Sequence, residues 1–207
     1  MREYDTYIFD FDGTVCDSKE SIYQVFEDCF AAVGIYGITH EQSEEYMHHS
    51  LEATAQMNGI EGDRYQTFLD ACIKSLDRRE TIERSKTYDD VLETLEILKK
   101  RGKTLAIVSG NTVKHIQDVI DFLKWPDYFS ALMGSDIYDR PKPNKEPICR
   151  CLELLGKPAD ERVCYIGDSL QDPLTASNAG IDGILLDREN EYPEYAGTKI
   201  KSLKDIL

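Results

Sequence analysis

The sequence predicts an α/β fold that has a parallel sheet at its core and carries an all-helical insertion. Beyond Tyr88, short apolar runs alternate with amphipathic helical patterns, an order typical of a parallel sheet covered by helices. The stretch 18–84 has only helical patterns and interrupts this alternation after the first apolar run. Polar residues also follow directly after several predicted strands, where open parallel sheets bind their ligands.

The first predicted strand is the apolar run that ends at Phe9, and the helical insertion follows it. Apolar residues recur at helical spacing from Ser21 to Val33, which indicates an amphipathic helix. The insertion continues with predicted helices at 40–47, 51–57 and 63–83. No strand pattern occurs between residues 18 and 84, so the segment predicts an inserted helical domain.

The alternating part of the chain follows the insertion. Its predicted elements are helix 89–100, strand 105–108, helix 112–123, strand 131–133, helix 144–155, strand 163–166, helix 170–179 and strand 184–186. We therefore predict two domains. The core consists of residues 1–17 and 85–207, and residues 18–84 form the helical domain.

Composition limits the classes of partner. The formal net charge of −15 over 207 residues argues against general binding to nucleic acid or to an anionic membrane. No run approaches the ~20 apolar residues that cross a bilayer, and the first residues lack the pattern of a secretory signal. The six cysteines form no CxxC pair, so we expect reduced thiols in a cytoplasmic protein. A monomer or a homodimer is expected.

Two carboxylates follow the first strand, in Asp10-Phe11-Asp12-Gly13-Thr14. An Asp-Gly turn accounts for Asp12 and Gly13, because glycine tolerates positive φ. It does not account for Asp10, since a carboxylate next to a buried run is costly unless something compensates its charge. A metal ion or a nucleophilic role would supply that compensation.

Three later segments also carry polar residues at strand ends or helix starts. They are Ser109-Gly110-Asn111, Arg140-Pro141-Lys142-Pro143, and Gly167-Asp168-Ser169 with Asp172. Each has an ordinary explanation when it is taken alone. Ser109–Asn111 could be a turn, Lys142 a surface lysine and Asp168 a helix N-cap.

Taken in order, the four segments resemble the motifs of the haloacid-dehalogenase-like (HAD) hydrolase superfamily. The chain is most similar to its phosphoglycolate-phosphatase and β-phosphoglucomutase-like branch, in which a helical cap is inserted just after the first motif. The resemblance spans essentially the whole chain and implies a Rossmann-like, three-layer core with 18–84 as the cap. One departure is Lys145, which stands where relatives often have the second proline of a KPxP motif.

The chemistry of the residues and the resemblance together assign roles to the first motif. Asp10 is expected to attack phosphorus and form an aspartyl-phosphate, and Asp12 to act as general acid and base. An anionic nucleophile needs a cation to approach a phosphate, and oxygen ligands favour Mg²⁺. By resemblance, its ligands would be a carboxylate oxygen of Asp10, the backbone carbonyl of Asp12, and Asp168, with support from Asp172.

The remaining motif residues are expected to bind the phosphoryl group. Lys142, the hydroxyl of Ser109 and the backbone N–H groups of Gly110 and Asn111 would contact its oxygens. Thr14 is expected to orient the nucleophile. The expected partner is therefore a small phosphorylated metabolite.

The sequence thus predicts a Mg²⁺-dependent phosphatase, with a β-phosphoglucomutase-like phosphosugar mutase as the alternative. A dehalogenase is disfavoured, because Asp12 and Lys142 serve phosphoryl chemistry. A non-catalytic binding protein should have lost one of the core motif residues, and none is lost. Substrate choice is assigned to the cap, where His48 and His49 could contact the leaving group or could equally be exposed or structural histidines.

Overall fold

The computed structural model of the protein describes residues 2–47 and 49–207. The chain divides into two compact units. We call Met1–Asp17 with Thr87–Leu207 the core unit and Ser18–Lys86 the helical unit.

The first half of the chain supplies one strand of the main sheet and all of the helical unit. Its elements are β1 (Thr6–Phe9), β2 (Cys16–Asp17), α1 (Lys19–Ala32), α2 (His40–Met47), α3 (Leu51–Met57), α4 (Asp63–Leu76), α5 (Arg79–Ile82) and β3 (Lys86–Thr87). The rest of the core unit follows as α6 (Val91–Lys100), β4 (Thr104–Val108), α7 (Val113–Phe122), β5 (Ala131–Met133), α8 (Glu146–Leu155), β6 (Val163–Gly167), α9 (Gln171–Ala179), β7 (Asp182–Leu186), β8 (Lys199–Ile200) and a 3-10 helix (Leu203–Ile206).

The core unit is built on a six-stranded sheet in the order β5-β4-β1-β6-β7-β8, and the pairs of neighbouring strands are parallel. The predicted α/β fold is confirmed. Strands β1, β4 and β6 are apolar and almost wholly buried, as expected for the centre of a sheet that helices cover on both faces. Phe9 pairs with Ile107 on one side and Ile166 on the other, so these three strands end at the same edge.

The helical unit has its own apolar core between α1, α2, α3 and α4. The helical stripe on α1 buries Val25, Phe26, Cys29 and Phe30, and the rings of Phe30 and Phe68 meet edge to face with centroids 5.2 Å apart. This burial is what stabilises the four helices, since helices this short are marginal alone.

The predicted helix 63–83 is wrong as a single element, because it is broken between α4 and α5. Arg78 is extended, with φ −76° and ψ 138°, and its guanidinium forms a 2.8 Å ion pair with Asp28 on α1. This contact lies outside the local pattern from which the helix was predicted. Strands β2, β3 and β8 have two residues each, too few to show a periodicity in the sequence.

All six cysteines are free thiols, and five of them are buried. Within the described ranges, none of the helices is both long enough and apolar enough to cross a membrane.

Candidate functional site

The site lies at the edge where β1, β4 and β6 end. Asp10, Ser109 and Asp168 each follow the last residue of one of these strands. The sheet therefore brings three of the four sequence motifs together, although the residues are far apart in the chain. The remaining motif, the third in the chain, supplies Lys142 from the segment that precedes α8.

Lys142 is the centre of a buried hydrogen-bond network. Its ammonium Nζ lies 2.8 Å from Oδ2 of Asp10, 2.8 Å from Oδ1 of Asp172 and 3.1 Å from the hydroxyl of Tyr165. The other oxygen of Asp10, Oδ1, accepts a hydrogen bond from the N–H of Phe11 at 2.8 Å. The buried carboxylate of Asp10 therefore has a compensating cation beside it.

The pKa values of Asp10, Asp168 and Lys142 are all shifted from their ordinary values. Burial raises the pKa of Asp10 to about 7, although the ammonium of Lys142 opposes this effect. Burial and the charges of Asp10 and Asp172 raise the pKa of Asp168 well above its usual value. For Lys142, burial lowers the pKa, but the charges of Asp10 and Asp172 outweigh it and raise the pKa well above 10.5.

Asp10, Asp168 and Asp172 form a compact group of carboxylates. One carboxylate oxygen from each lies within 4.8 Å of the others. Oxygen donors this close repel one another unless a cation lies between them, and they are the ligand type that hard divalent cations prefer. The group therefore fits a divalent metal. The side chain of Asp12 is not part of it, and the predicted role of the Asp12 carbonyl stays a prediction.

The turn after β1 depends on Gly13. Its φ is +70°, and a Cβ there would lie 2.0 Å from Oδ2 of Asp168, so a larger residue would displace that carboxylate. Thr14, expected to orient Asp10, instead has its hydroxyl 3.3 Å from Oδ1 of Asp168. The turn therefore packs closely against the carboxylate of Asp168.

Asp12 contacts the second motif. Its Oδ2 accepts a 2.6 Å hydrogen bond from the side-chain amide of Asn111. Ser109 is buried, and its Oγ accepts from the N–H of Asn111 at 3.1 Å. Gly110 is exposed, and a Cβ there would meet nothing within 4 Å. Open space beside a buried hydroxyl is what a phosphoryl-binding turn requires.

The fourth motif holds Asp172 rigidly. Asp172 is fully buried, and its Oδ2 accepts from both the N–H and the hydroxyl of Ser169, at 3.0 and 2.9 Å. Its Oδ1 is the oxygen that contacts Lys142. Asp168 is not the N-cap of α9, because that position is Leu170.

The sequence also offers two histidines, His48 and His49, as contacts for a leaving group. His49 is exposed in the helical unit, between α2 and α3. His48 lies outside the described residues. Both assignments stay predictions.

Two residues that contact the motif residues were not predicted from the sequence. Tyr165 lies in the apolar run of β6, and its signal was a hydroxyl in a central strand, which needs a partner. Arg188 follows β7 and forms a two-pronged ion pair with Asp90, at 2.7 and 3.0 Å. It also donates to the carbonyl of Thr14 at 3.0 Å. Its signal was a pair of charged residues, Asp187 and Arg188, directly after β7.

Known proteins are similar to this chain over most of its length. The model of the haloacid dehalogenase-like hydrolase family matches residues 7–186. A phosphoglycolate phosphatase from Rhodobacter capsulatus is 29% identical over 182 residues, covering 86% of this chain and 82% of that protein. The pyrophosphatase PpaX of Bacillus mycoides is 24% identical over 218 residues, covering 98% of this chain and 96% of that protein.

A solved structure gives the same result for the fold. The crystal structure of a protein from Bacteroides fragilis, assigned to the haloacid dehalogenase-like hydrolases, superposes with a TM-score of 0.88. It is 27% identical and covers 99% of this chain and 100% of its own. The similarity therefore includes both units of the chain.

Proposed function

The chain belongs to the haloacid dehalogenase-like hydrolase family and is a phosphatase, and from that premise we propose that it hydrolyses a small phosphate monoester through an aspartyl-phosphate on Asp10. The observation that carries this proposal is the contact between the buried carboxylate of Asp10 and the ammonium of Lys142, at 2.8 Å. It supplies a nucleophile together with a cation that reduces the repulsion between this anion and a phosphate.

The two aspartates of the first motif have separate tasks in this reaction. A carboxylate oxygen of Asp10 attacks phosphorus, and the bond from phosphorus to the ester oxygen breaks. Asp12 donates a proton to that oxygen, so the leaving group departs as an alcohol. Asp12 then takes a proton from a water molecule that attacks the phosphoryl group, which releases inorganic phosphate and restores Asp10. The amide of Asn111 holds one oxygen of Asp12 and leaves the other for proton transfer.

The divalent metal is proposed to be Mg²⁺. Asp10, Asp168 and Asp172 are the residues that would hold it, since their carboxylate oxygens lie within 4.8 Å of one another. When bound, the ion would offset the negative charge of the carboxylates and of the phosphate. The hydroxyl of Thr14 keeps Asp168 oriented.

The second motif and Lys142 are proposed to hold the phosphoryl oxygens. Lys142 already lies against Asp10, where the aspartyl-phosphate would be formed. The exposed turn at Gly110 leaves room for a phosphate, and the backbone N–H of Gly110, with the Ser109 hydroxyl, offers neutral donors. The N–H of Asn111 donates to Oγ of Ser109 and would have to exchange that partner for the phosphate. These contacts bind the phosphoryl group of any ester and do not choose among leaving groups.

Selectivity is therefore proposed to come from the helical unit, acting as a cap. The support is its position in the chain, between Asp17 and Thr87, directly after the first motif. We also propose a cytoplasmic enzyme, monomeric or homodimeric, with no nucleic-acid or membrane partner. The support is the net charge of −15, which disfavours contact with polyanions.

The reaction is tested with Asp10→Asn and the matched control Asp118→Asn. Asp118 is a carboxylate on α7 that pairs with Lys114 and is not one of the motif residues. With an aryl phosphate and MgCl₂, we expect Asp10→Asn to reduce phosphate release to the buffer background, and Asp118→Asn to leave it unchanged. Normal turnover by Asp10→Asn would disprove the nucleophile assignment.

The substrate is tested with a panel of phosphorylated metabolites, assayed with and without MgCl₂. Phosphoglycolate and pyrophosphate are assayed first, because relatives carry those substrates in their names, and hexose phosphates and nucleotides follow. Glucose phosphate isomerisation is followed in the same assays. The relatives described above carry phosphatase names, so we do not favour the mutase, and we expect release of phosphate with no isomerisation.

A further inference from the structure

The ammonium of Lys142 has no donor to spare in this structure. A lysine ammonium carries three N–H groups, and the three close acceptors are Asp10, Asp172 and the hydroxyl of Tyr165. Two of these acceptors are charged and one is neutral. Lys142 is therefore held from three sides before any substrate arrives.

The two charged acceptors both have other tasks. In the proposed function, Asp10 becomes phosphorylated and Asp172 belongs to the carboxylate group that would hold the metal. Their contacts with Lys142 must change as the metal and the phosphoryl group bind. Tyr165 has neither task, and its hydroxyl is the acceptor that stays the same through the reaction.

The hydroxyl of Tyr165 is fixed in direction. Tyr165 is fully buried in β6, and its O–H donates to the carbonyl of Val108 at 3.1 Å. The single hydroxyl proton is used there, so a lone pair of the oxygen faces Lys142. Burial and the charges of Asp10 and Asp172 raise the pKa of Tyr165 well above its ordinary value, so the hydroxyl stays neutral.

From these contacts we propose that Tyr165 is a positioning residue for Lys142. It anchors the ammonium at the end of β4 and β6 while Asp10 passes from carboxylate to aspartyl-phosphate and back. The proposal rests on the proposed function, because it gives Lys142 the task of holding the phosphoryl group. Tyr165 lies outside the four sequence motifs.

The test is Tyr165→Phe, which removes the hydroxyl and keeps the ring. The ring face, whose centroid lies 5.7 Å from the Lys142 ammonium, is retained. The matched control is Tyr7→Phe. Tyr7 is also fully buried in a central strand, and its hydroxyl accepts one hydrogen bond, from the N–H of Tyr4 at 3.2 Å. It contacts no residue of the site through that hydroxyl.

We expect Tyr165→Phe to lower kcat of aryl phosphate hydrolysis by about ten- to one-hundredfold, the value of one hydrogen bond to a charged group. KM should change far less. Tyr7→Phe should lower the melting temperature about as much as Tyr165→Phe does, because each variant loses a buried hydroxyl. The kcat of Tyr7→Phe should stay within about twofold of the parent. The rise in melting temperature on adding MgCl₂ should persist in Tyr165→Phe, because the metal-binding carboxylates are intact.

Three results would overturn the proposal. They are a kcat within twofold of the parent in Tyr165→Phe, an equal loss of kcat in Tyr7→Phe, and loss of the MgCl₂ effect in Tyr165→Phe. Asp10→Asn and Lys142→Met are assayed beside them. If both stay active, the proposed function itself fails. If both are inactive while Tyr165→Phe is normal, only the role of Tyr165 fails.

Discussion

The side-chain amide of Asn111 donates a hydrogen bond to Oδ2 of Asp12 across 2.6 Å, and so joins the end of β4 to the turn after β1. The two residues are 99 positions apart in the chain. Asp12 is half-buried and accepts from Asn111, whereas Asp10 is buried and accepts from Lys142. The structure therefore separates the surroundings of the two carboxylates, as a nucleophile and a proton carrier require.

Replacing Asn111 should disturb Asp12 alone. We expect Asn111→Ala to lower kcat by about tenfold or more, because Asp12 loses a hydrogen bond to its charged form. In an Asp12→Asn background the same change should have little further effect, since residues that act as one unit are not additive. Steady-state hydrolysis of an aryl phosphate measures both. Gln117→Ala, on the exposed face of α7, is the control, and full additivity of the two changes would contradict the pairing.

Gly13→Ala should disable the site for a steric reason. The added Cβ would lie 2.0 Å from Asp168 Oδ2, at a φ of +70°. Gly156→Ala is a matched control, with a φ of +63° and nothing within 4 Å of its Cβ. Both should lose about 1 kcal/mol or more of unfolding free energy from the left-handed backbone. Only Gly13→Ala should lose phosphatase activity. Urea unfolding and aryl phosphate turnover measure these effects, and an active Gly13→Ala would refute the close packing against Asp168.

Adding MgCl₂ should stabilise the protein through its three carboxylates. At a metal concentration of about 100 times Kd, the gain is about 2.7 kcal/mol in unfolding free energy, visible as a rise in melting temperature. Asp168→Asn should lose most of this rise, because one of the three close oxygens no longer carries charge. Asp118→Asn should keep it. A rise of normal size in Asp168→Asn would show that the metal binds elsewhere.

Asp90 should make the stability of the core unit depend on pH in the acid range. Burial raises the pKa of Asp90, but hydrogen bonds from Arg188, Ser202 and the N–H of Leu203 outweigh it, so the pKa lies below 3.8. A carboxylate with a lowered folded pKa stabilises the protein above its unfolded pKa. That contribution is lost as the pH falls through the folded pKa.

The corresponding experiment compares the parent with Asp90→Asn. At pH 7, we expect a loss of roughly 3 kcal/mol in unfolding free energy, since Arg188 is left half-buried without its counter-charge. At an acid pH below the folded pKa of Asp90, the difference should shrink, because Asp90 is then protonated in the parent too. Asp160→Asn, which breaks an exposed pair with Arg162, should have no comparable effect. Urea unfolding at both pH values gives the result, and a constant difference would contradict the argument.

Much of the architecture was predictable because its signal is local. The helices at 40–47 and 51–57 and the strand at 131–133 were predicted with the bounds that the structure shows. Apolar runs and helical stripes in a sequence indicate which face of an element is buried, and burial of that face stabilises the element. The positions of Asp10, Ser109 and Asp168 at one edge followed from a single rule about parallel strands.

The sequence by itself determined the α/β fold, the insertion after the first strand, and the four motifs with their residue types. The tertiary structure decided which of those residues touch. Lys142 meets Tyr165, Thr14 meets Asp168, and Arg188 meets Asp90. The physical reason is that these contacts depend on the order of the strands, with β6 beside β1. That order is set by the burial of the whole sheet, and no local spacing of residues records it.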